Sequence, residues 1–375
     1  MKLHELLKRC EDVANNPNKY VIEWKAKTGR KAIGGVAPFP PDEIIYAAGA
    51  LPVTMFGGAV APTDAYKYFP QFYCSVVTTS LQLGIQGSYR ELSAVVAGCC
   101  CDGLKDFVEN WKSAVEIPII DCIYPANRKL EAARVYFTKE LRQASERIQA
   151  ITGHKTTDLD LQHAITLHNE HRAVMREFAE VAVDHLDIFT PTVRHNVFKS
   201  ALFMDKAEHL ELVRSLIDEL KARPVYDFKG VRVISTGIII DVPDILKMLE
   251  ENNIAIVGDD VVQESKRYET DTPNGIDLYY QIATRWSNME GSSLLFDVEK
   301  KRGTMLLDML KNRKADGILY VLLKFCEIDE FDYPIMKQIF REAQVPELFL
   351  ETENVYSNDQ QAATRIQAFK EMVGK

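Results

Sequence analysis

Long apolar runs are missing from this 375-residue sequence. None approaches the roughly 18 residues that a membrane-spanning helix needs. Basic blocks are missing too. Lys and Arg number 45 against 54 Asp and Glu, a formal net charge of −9. Nucleic acid is therefore not an expected partner, because such binding draws its affinity from Lys and Arg on phosphates. Phosphate-loop and dinucleotide signatures are also absent: no G-x-x-x-x-G-K-[ST] occurs, and no G-x-G-x-x-G follows a strand pattern. The chain is thus not expected to bind ATP itself. No H-E-x-x-H and no G-x-S-x-G occurs, which leaves the common zinc-peptidase and serine-hydrolase arrangements without support. The start, MKLHELLKRCEDV, has charges breaking any apolar core, so it reads as a helix rather than an export signal. A cytoplasmic protein is expected, in which the seven cysteines are core, reactive or metal-bound thiols rather than disulfides.

What remains is a globular composition, 46% hydrophobic and 26% charged, on a chain long enough for two or three domains. Strand patterns KAIGGVAPFP (31–40), LPVTMFGG, SAVVAG and IPIIDCIYP alternate with helical ones. One helix opens at Pro41, Asp42 and Glu43, another near Cys74 and a third at DGLKDFVENWKSA. Residues 130–223 are mostly helical in pattern. Alternation then resumes: VRVISTGIII, IAIVGDD, GILYVLLKFC and PELFLETE read as strands and FDYPIMKQIFREAQ as a helix, with a polar stretch from Gln263 to about Ser293 and a closing helix DQQAATRIQAFKEMVGK. The fold class expected is α/β, with two open, mainly parallel-sheet domains of flavodoxin-like or Rossmann-like kind and an added helical region. The expected division is residues 1–30 as an N-terminal helical segment, 31–130 as the first α/β domain, 131–225 as a helical bridge and 226–375 as the second α/β domain. Ligands of open parallel sheets collect beyond the carboxyl ends of the strands, so chemistry is sought directly after SAVVAG and GILYVLLKF.

The cysteines meet that criterion. Cys101 falls where a strand gives way to a helix, and a thiol at a helix N-terminus favours the thiolate. Cys326 ends an apolar strand in the other half, and Cys74 starts a helix and could supply a third thiol. Three thiolates so far apart in sequence suit an iron–sulfur cluster with one iron left for a non-protein ligand. Zinc is disfavoured, because structural zinc sites usually carry closely spaced cysteine pairs. The alternative is a set of buried structural cysteines. On an extended strand Cys99 and Cys101 would face one way and Cys100 the other, which makes Cys100 a core residue. Cys10 and Cys122 read as packing. His168 and His171, at i, i+3, read as a solvated helix face rather than a metal grip. Asp42 and Glu43 suit either acid–base work or the positive end of a helix. The hydroxyls of Ser75, Thr78, Thr79 and Ser80 carry no assigned role. Arg267 and Tyr268 could border a phosphate-bearing ligand or order a polar loop.

At these residues the chain resembles the 2-hydroxyacyl-CoA dehydratases, a family that includes the benzoyl-CoA reductase subunits. The resemblance is carried by PPDEIIYAAGALPV (40–53), YCSVV around Cys74, CDG at Cys101, VGDD (257–260) with Arg267 and Tyr268 beyond it, KADGILYVLLKFCEIDEFDYPIMK (314–337) and TRIQAF (364–369). It spans nearly the whole chain and is most specific in KFCEIDEFDYP and TRIQAF. It implies the smaller, beta-type subunit of a heterodimer, with a [4Fe-4S] cluster on Cys74, Cys101 and Cys326. The implied reaction dehydrates an (R)-2-hydroxyacyl-CoA, such as 2-hydroxyisocaproyl-CoA, to the (E)-2-enoyl-CoA through a ketyl radical. The implied partners are a larger homologous alpha subunit, which would hold most of the acyl-CoA site, and a transient ATP-dependent iron–sulfur activator. CSVVTTS departs from substrate-binding subunits, where a basic residue often follows the first cysteine, so this chain's cluster is expected to relay electrons. A benzoyl-CoA-reductase-like subunit and a non-catalytic electron-transfer or docking subunit are the alternatives.

Overall fold

A computed structural model describes residues 2–36, 38–354 and 359–374. Residues 37 and 375, inside segments read above as a strand and a helix, lie outside the described residues. The first sheet comprises β1 (Ala32–Val36), β2 (Leu51–Met55), β3 (Leu92–Cys99) and β4 (Ile119–Ile123), in the order β2-β1-β3-β4. The second comprises β5 (Val231–Gly237), β6 (Ile254–Asp259), β7 (Gly317–Leu323) and β8 (Glu347–Thr352), in the order β6-β5-β7-β8. Every pairing is parallel. All residues of β1, β2 and β7 are buried, which is why their sequences are apolar runs rather than alternating ones. The expected α/β class with two open parallel sheets is what the chain adopts, and the two sheets share one strand order.

Between the sheets lie helices Glu131–Thr152, Asp158–Val181, Pro191–Ser200 and Lys206–Lys221. Side-chain caps fix the starts of the last three: the Thr157 hydroxyl accepts from Asp160 N, Thr190 from Val193 N, and Asp205 from Ala207 N and Glu208 N. One apolar core crosses from half to half. Phe39 and Tyr124 of the first half pack on Trp286 of the second, with ring centroids 5.8 and 5.0 Å apart, and Ile33, Val96, Ile239 and Leu323 belong to the same cluster. No helix among the described residues is long and apolar enough to cross a membrane.

Three local details differ from the sequence reading. The run VRVISTGIII leaves the sheet at Gly237, whose φ is +145°; a Cβ there would lie 2.2 Å from the Val321 carbonyl oxygen. Ile238 to Ile240 therefore pack in the core beyond the strand rather than extending it. The polar stretch 263–293 contains a helix, Leu278–Asn288, capped by Asp277 and burying Ile282, Ala283 and Trp286. Its narrow apolar face is diluted by neighbouring polar residues. The helix after β7 starts at Glu327, upstream of FDYP, and carries Pro334 in its interior.

Candidate metal centre

β3 and β7 occupy equivalent places in their sheets, third in chain order and each flanked by two strands. Both run directly into helices, and the turning residues are cysteines. Cys101 is the N-cap of helix Asp102–Ala114, and Cys326 is the N-cap of helix Glu327–Glu342. Cys74 is likewise the N-cap of helix Ser75–Ile85. Three helix N-termini, each equivalent to roughly +0.5 of a charge, thus lie beside three sulfurs. Nearby peptide N–H groups favour each thiolate: those of Val76 and Val77 for Cys74, Gly103 and Leu104 for Cys101, and Asp329 for Cys326.

The three cysteines line one cavity of about 350 Å³, together with Phe72, Tyr73, Tyr124 and Phe325. Cys99 and Cys100 also reach it. The expected strand alternation ends at Cys99, because the chain turns there, with Cys100 N donating to Gly98 O at 2.9 Å. Cys100 is consequently not a core residue but a half-buried neighbour of the cavity, and its thiol shares a hydrogen bond with that of Cys101. That bond holds the Cys101 thiol below its usual pKa and pushes Cys100 well above. Burial pushes Cys74 up to about 12 and Cys326 well above the ordinary thiol range, each further raised by the neighbouring thiols. Cys10 and Cys122 are fully buried and do not line the cavity.

A metal would have to displace protons that burial holds on at least two of these sulfurs, which only a strong thiophilic centre does. Among the described residues no group of three or more His, Cys, Asp or Glu side chains is gathered tightly enough to hold a single metal ion. A multi-iron cluster would fit three sulfurs that ring one cavity, because each thiolate would take a different iron. Apolar walls and helix N-termini also suit a net anionic cluster.

The backbone beside Cys326 is unusual. Phe325 has φ +62°, a left-handed conformation that costs a bulky residue about 1–2 kcal/mol. Its N–H donates to Glu330 Oε1 at 2.8 Å, so the turn before the cysteine is tied to the helix after it. The start of the Cys74 helix is tied to the second half: Asn354 N donates to Ser75 Oγ, and Asn354 Nδ2 to Thr79 Oγ1 and Phe56 O, each at 2.9 Å. The Thr78 and Thr79 hydroxyls also donate back to carbonyls of their own helix, while Ser80 is buried. None of these four hydroxyl residues lines the cysteine cavity.

The other sequence candidates gather elsewhere. Asp42, Glu43, Arg267 and Tyr268 surround a separate cavity of about 30 Å³ with His168, His171, Arg172, Lys206 and Arg285. Glu43 pairs with Arg172 at 2.8 Å and Asp42 with Arg267 at 3.1 Å, which locks the first half to the helical region and to the segment after β6. Burial opposes the Glu43 charge, but the nearby guanidiniums hold its carboxyl well below the usual range. His168 and His171 are not a solvated face. They are 4% and 2% exposed, and His171 Nε2 lies 2.9 Å from His209 Nδ1. The polar spelling of LHNEHR conceals this, because its partners come from other helices.

Residues 38–373 match the family model described as 2-hydroxyglutaryl-CoA dehydratase, D-component. The chain is 44% identical over 362 residues to the (R)-phenyllactyl-CoA dehydratase beta subunit of Clostridium sporogenes, covering 96% of each chain. It is 37% identical over 374 residues to the lactoyl-CoA dehydratase beta subunit of Anaerotignum propionicum, covering 99% of this chain and 100% of that one. A benzoyl-CoA reductase subunit of Thauera aromatica is more distant, 23% identical over 363 residues, 92% of each chain. The chain belongs to the 2-hydroxyglutaryl-CoA dehydratase D-component family, whose relatives here are enzyme subunits.

Proposed function

We propose that this chain is the beta subunit of an oxygen-sensitive iron–sulfur hydro-lyase that converts an (R)-2-hydroxyacyl-CoA to the (E)-2-enoyl-CoA. The acyl group proposed is 2-hydroxyisocaproyl. The observation that carries the reading is that Cys74, Cys101 and Cys326, far apart in sequence, cap three helices around one cavity. These three would hold a [4Fe-4S] cluster, whose chemistry is to accept and pass on one low-potential electron.

The reaction needs such an electron because the β-hydrogen of the substrate is not acidic and an α-hydroxide leaves poorly. A thioester carrying one extra electron expels the hydroxyl as hydroxide, the resulting radical has a much more acidic β C–H, and loss of that proton followed by return of the electron gives the enoyl-CoA and water. This chain's residues would supply the environment. Phe72, Tyr73, Tyr124 and Phe325 restrict water, and the helix N-termini favour the added charge. No basic side chain follows Cys74 in its helix, which supports electron relay here and substrate binding mainly in a larger alpha subunit. The beta-subunit names of the relatives support that pairing. The lack of a phosphate-loop motif supports ATP use by a separate activator protein. Cytoplasmic residence follows for an oxygen-sensitive thiolate site.

The test is dehydration assayed anaerobically with 2-hydroxyacyl-CoA and aromatic CoA thioesters. The heterodimer with activator and ATP should turn over 2-hydroxyacyl-CoA, and the isolated chain should not. Turnover by the chain alone, or ring reduction without dehydration, would refute it.

A further inference from the structure

Behind Cys326 lies a buried polar cage that neither the family match nor the sequence motifs assign. Its hub is Arg302, 3% exposed, on helix Lys301–Arg313. Arg302 Nε donates to Asp260 Oδ2 at 2.9 Å, just past β6, and Nη2 donates to Thr236 Oγ1 of β5 at 2.7 Å. Nη1 donates to Asp329 Oδ1 at 3.0 Å, Asp332 Oδ2 at 2.9 Å and the Tyr320 hydroxyl of β7 at 3.3 Å. Tyr320 OH also donates to Asp329 Oδ1 at 3.0 Å. One guanidinium thereby fastens the first two turns of the Cys326 helix to β5, β7 and the segment just past β6. A planar, permanently charged fork with five donors does this in a way that a lysine cannot.

Position and charge are both affected. Asp329 N donates to the Cys326 carbonyl oxygen at 2.9 Å, so whatever fixes Asp329 fixes the backbone that carries the thiol. Three carboxylates, Asp260, Asp329 and Asp332, meet a single fully buried guanidinium, with Lys300 at 3.0 Å from Asp332 at the edge. Buried charges act at long reach in such surroundings. Among the described residues the corresponding helix start at Cys101 has no such cage: its charged pair, Asp102 and Lys105, is exposed.

We infer that Arg302 and Asp329 are positioning residues that hold Cys326 in its ligating geometry and set the reduction potential of the group it binds. This rests on the reading of Cys326 as a cluster ligand. Two measurements on the full-length chain separate the inference from that reading. In the metal-free chain, iodoacetamide alkylation is followed site by site by mass spectrometry. Arg302→Gln should speed alkylation of Cys326 several-fold while Cys101 keeps its wild-type rate, and Arg302→Lys should restore only part of the protection. In the anaerobic heterodimer, the midpoint potential is read by EPR-monitored titration. Arg302→Gln should shift it downward, and Asp329→Asn should shift it upward; a merely structural role would not give opposite signs. If Arg302→Gln does not fold, Asp329→Asn and Tyr320→Phe carry both measurements, with faster Cys326 alkylation expected in each. Unchanged Cys326 alkylation, or potentials that stay put or move together, would overturn the inference. A wild-type heterodimer without iron would overturn the cluster reading instead, and the alkylation result then decides the clamp alone.

Discussion

The two halves solve one problem in different ways. Each follows its third strand, within two or three residues, with a cysteine that caps a helix, and the two sheets have the same strand order. In the first half Cys101 sits beside another thiol, Cys100, next to an exposed Asp102–Lys105 pair. In the second half Cys326 follows a left-handed Phe325 and is backed by the buried Arg302 cage. The first half also contributes Cys74, so two of the three proposed ligands come from one sheet unit and one from the other. A strand order can be duplicated without duplicating its electrostatics: one helix start is left adaptable, the other is fixed from behind.

Breaking the ligand set should have the largest effect. Replacing Cys74, Cys101 or Cys326 by Ala should each remove or degrade the bound iron, measured as anaerobic iron and acid-labile sulfide, since each supplies a thiolate. The cage comes next. Arg302→Gln leaves three buried carboxylates around a neutral side chain, and a loss of about 3–5 kcal/mol in urea unfolding is expected. Lys105→Ala, at the matching place in the first half, should change stability by less than about 1 kcal/mol. Equal losses at both positions would remove the asymmetry.

Histidines sharpen the comparison through pH. The helical region meets the second half through His195, which lies 3.1 Å from Asp241 and 2.7 Å from Glu264. Burial opposes its charge, but those carboxylates outweigh it and push His195 up to about 9. It meets the first half through His168, which burial pushes down to about 4. The signs are opposite. The His195 contribution is complete below its unfolded value near 6.5 and is lost as pH rises through about 9. The His168 contribution is complete above about 6.5 and is lost as pH falls toward about 4. Stability should therefore peak near neutrality, with each flank costing about 1–3 kcal/mol. His195→Gln should flatten only the alkaline flank in urea titrations at several pH values; an unchanged alkaline slope would refute the assignment. The smallest effect is expected for the packing thiols. Cys10→Ala and Cys122→Ala should leave iron content at the wild-type level, and a loss of iron in either would mean the ligand set is wrong.

Strands, helix starts and the family are readable in the sequence because they depend on local apolar runs, caps and contiguous motifs. PELFLETE and IAIVGDD are strands, and Pro41 precedes a helix, as their spelling implies. Cys74, Cys101 and Cys326 are legible for the same reason, since strand-end and helix-start positions are local. What stays hidden depends on distant partners. Arg302 collects partners from residues 236, 260, 320, 329 and 332, and nothing in EKKRGTM announces them. His168 and His171 look solvated until the helices that bury them are in place. Cys100 looks like a core residue only if strand alternation is carried past the end of β3. The helix Leu278–Asn288 escapes a pattern search because it is a short amphipathic segment set in a long polar stretch, anchored by the packing of Trp286.

The central claim is that three widely separated cysteines hold one iron–sulfur cluster. The most direct measurement is the iron and acid-labile sulfide content of the anaerobically purified heterodimer, with this chain either wild type or carrying Cys74→Ala, Cys101→Ala and Cys326→Ala together. About four irons and four sulfides should be lost from the complex by the triple substitution while far-UV circular dichroism stays near the wild-type value. Identical iron content in the two preparations would contradict the account.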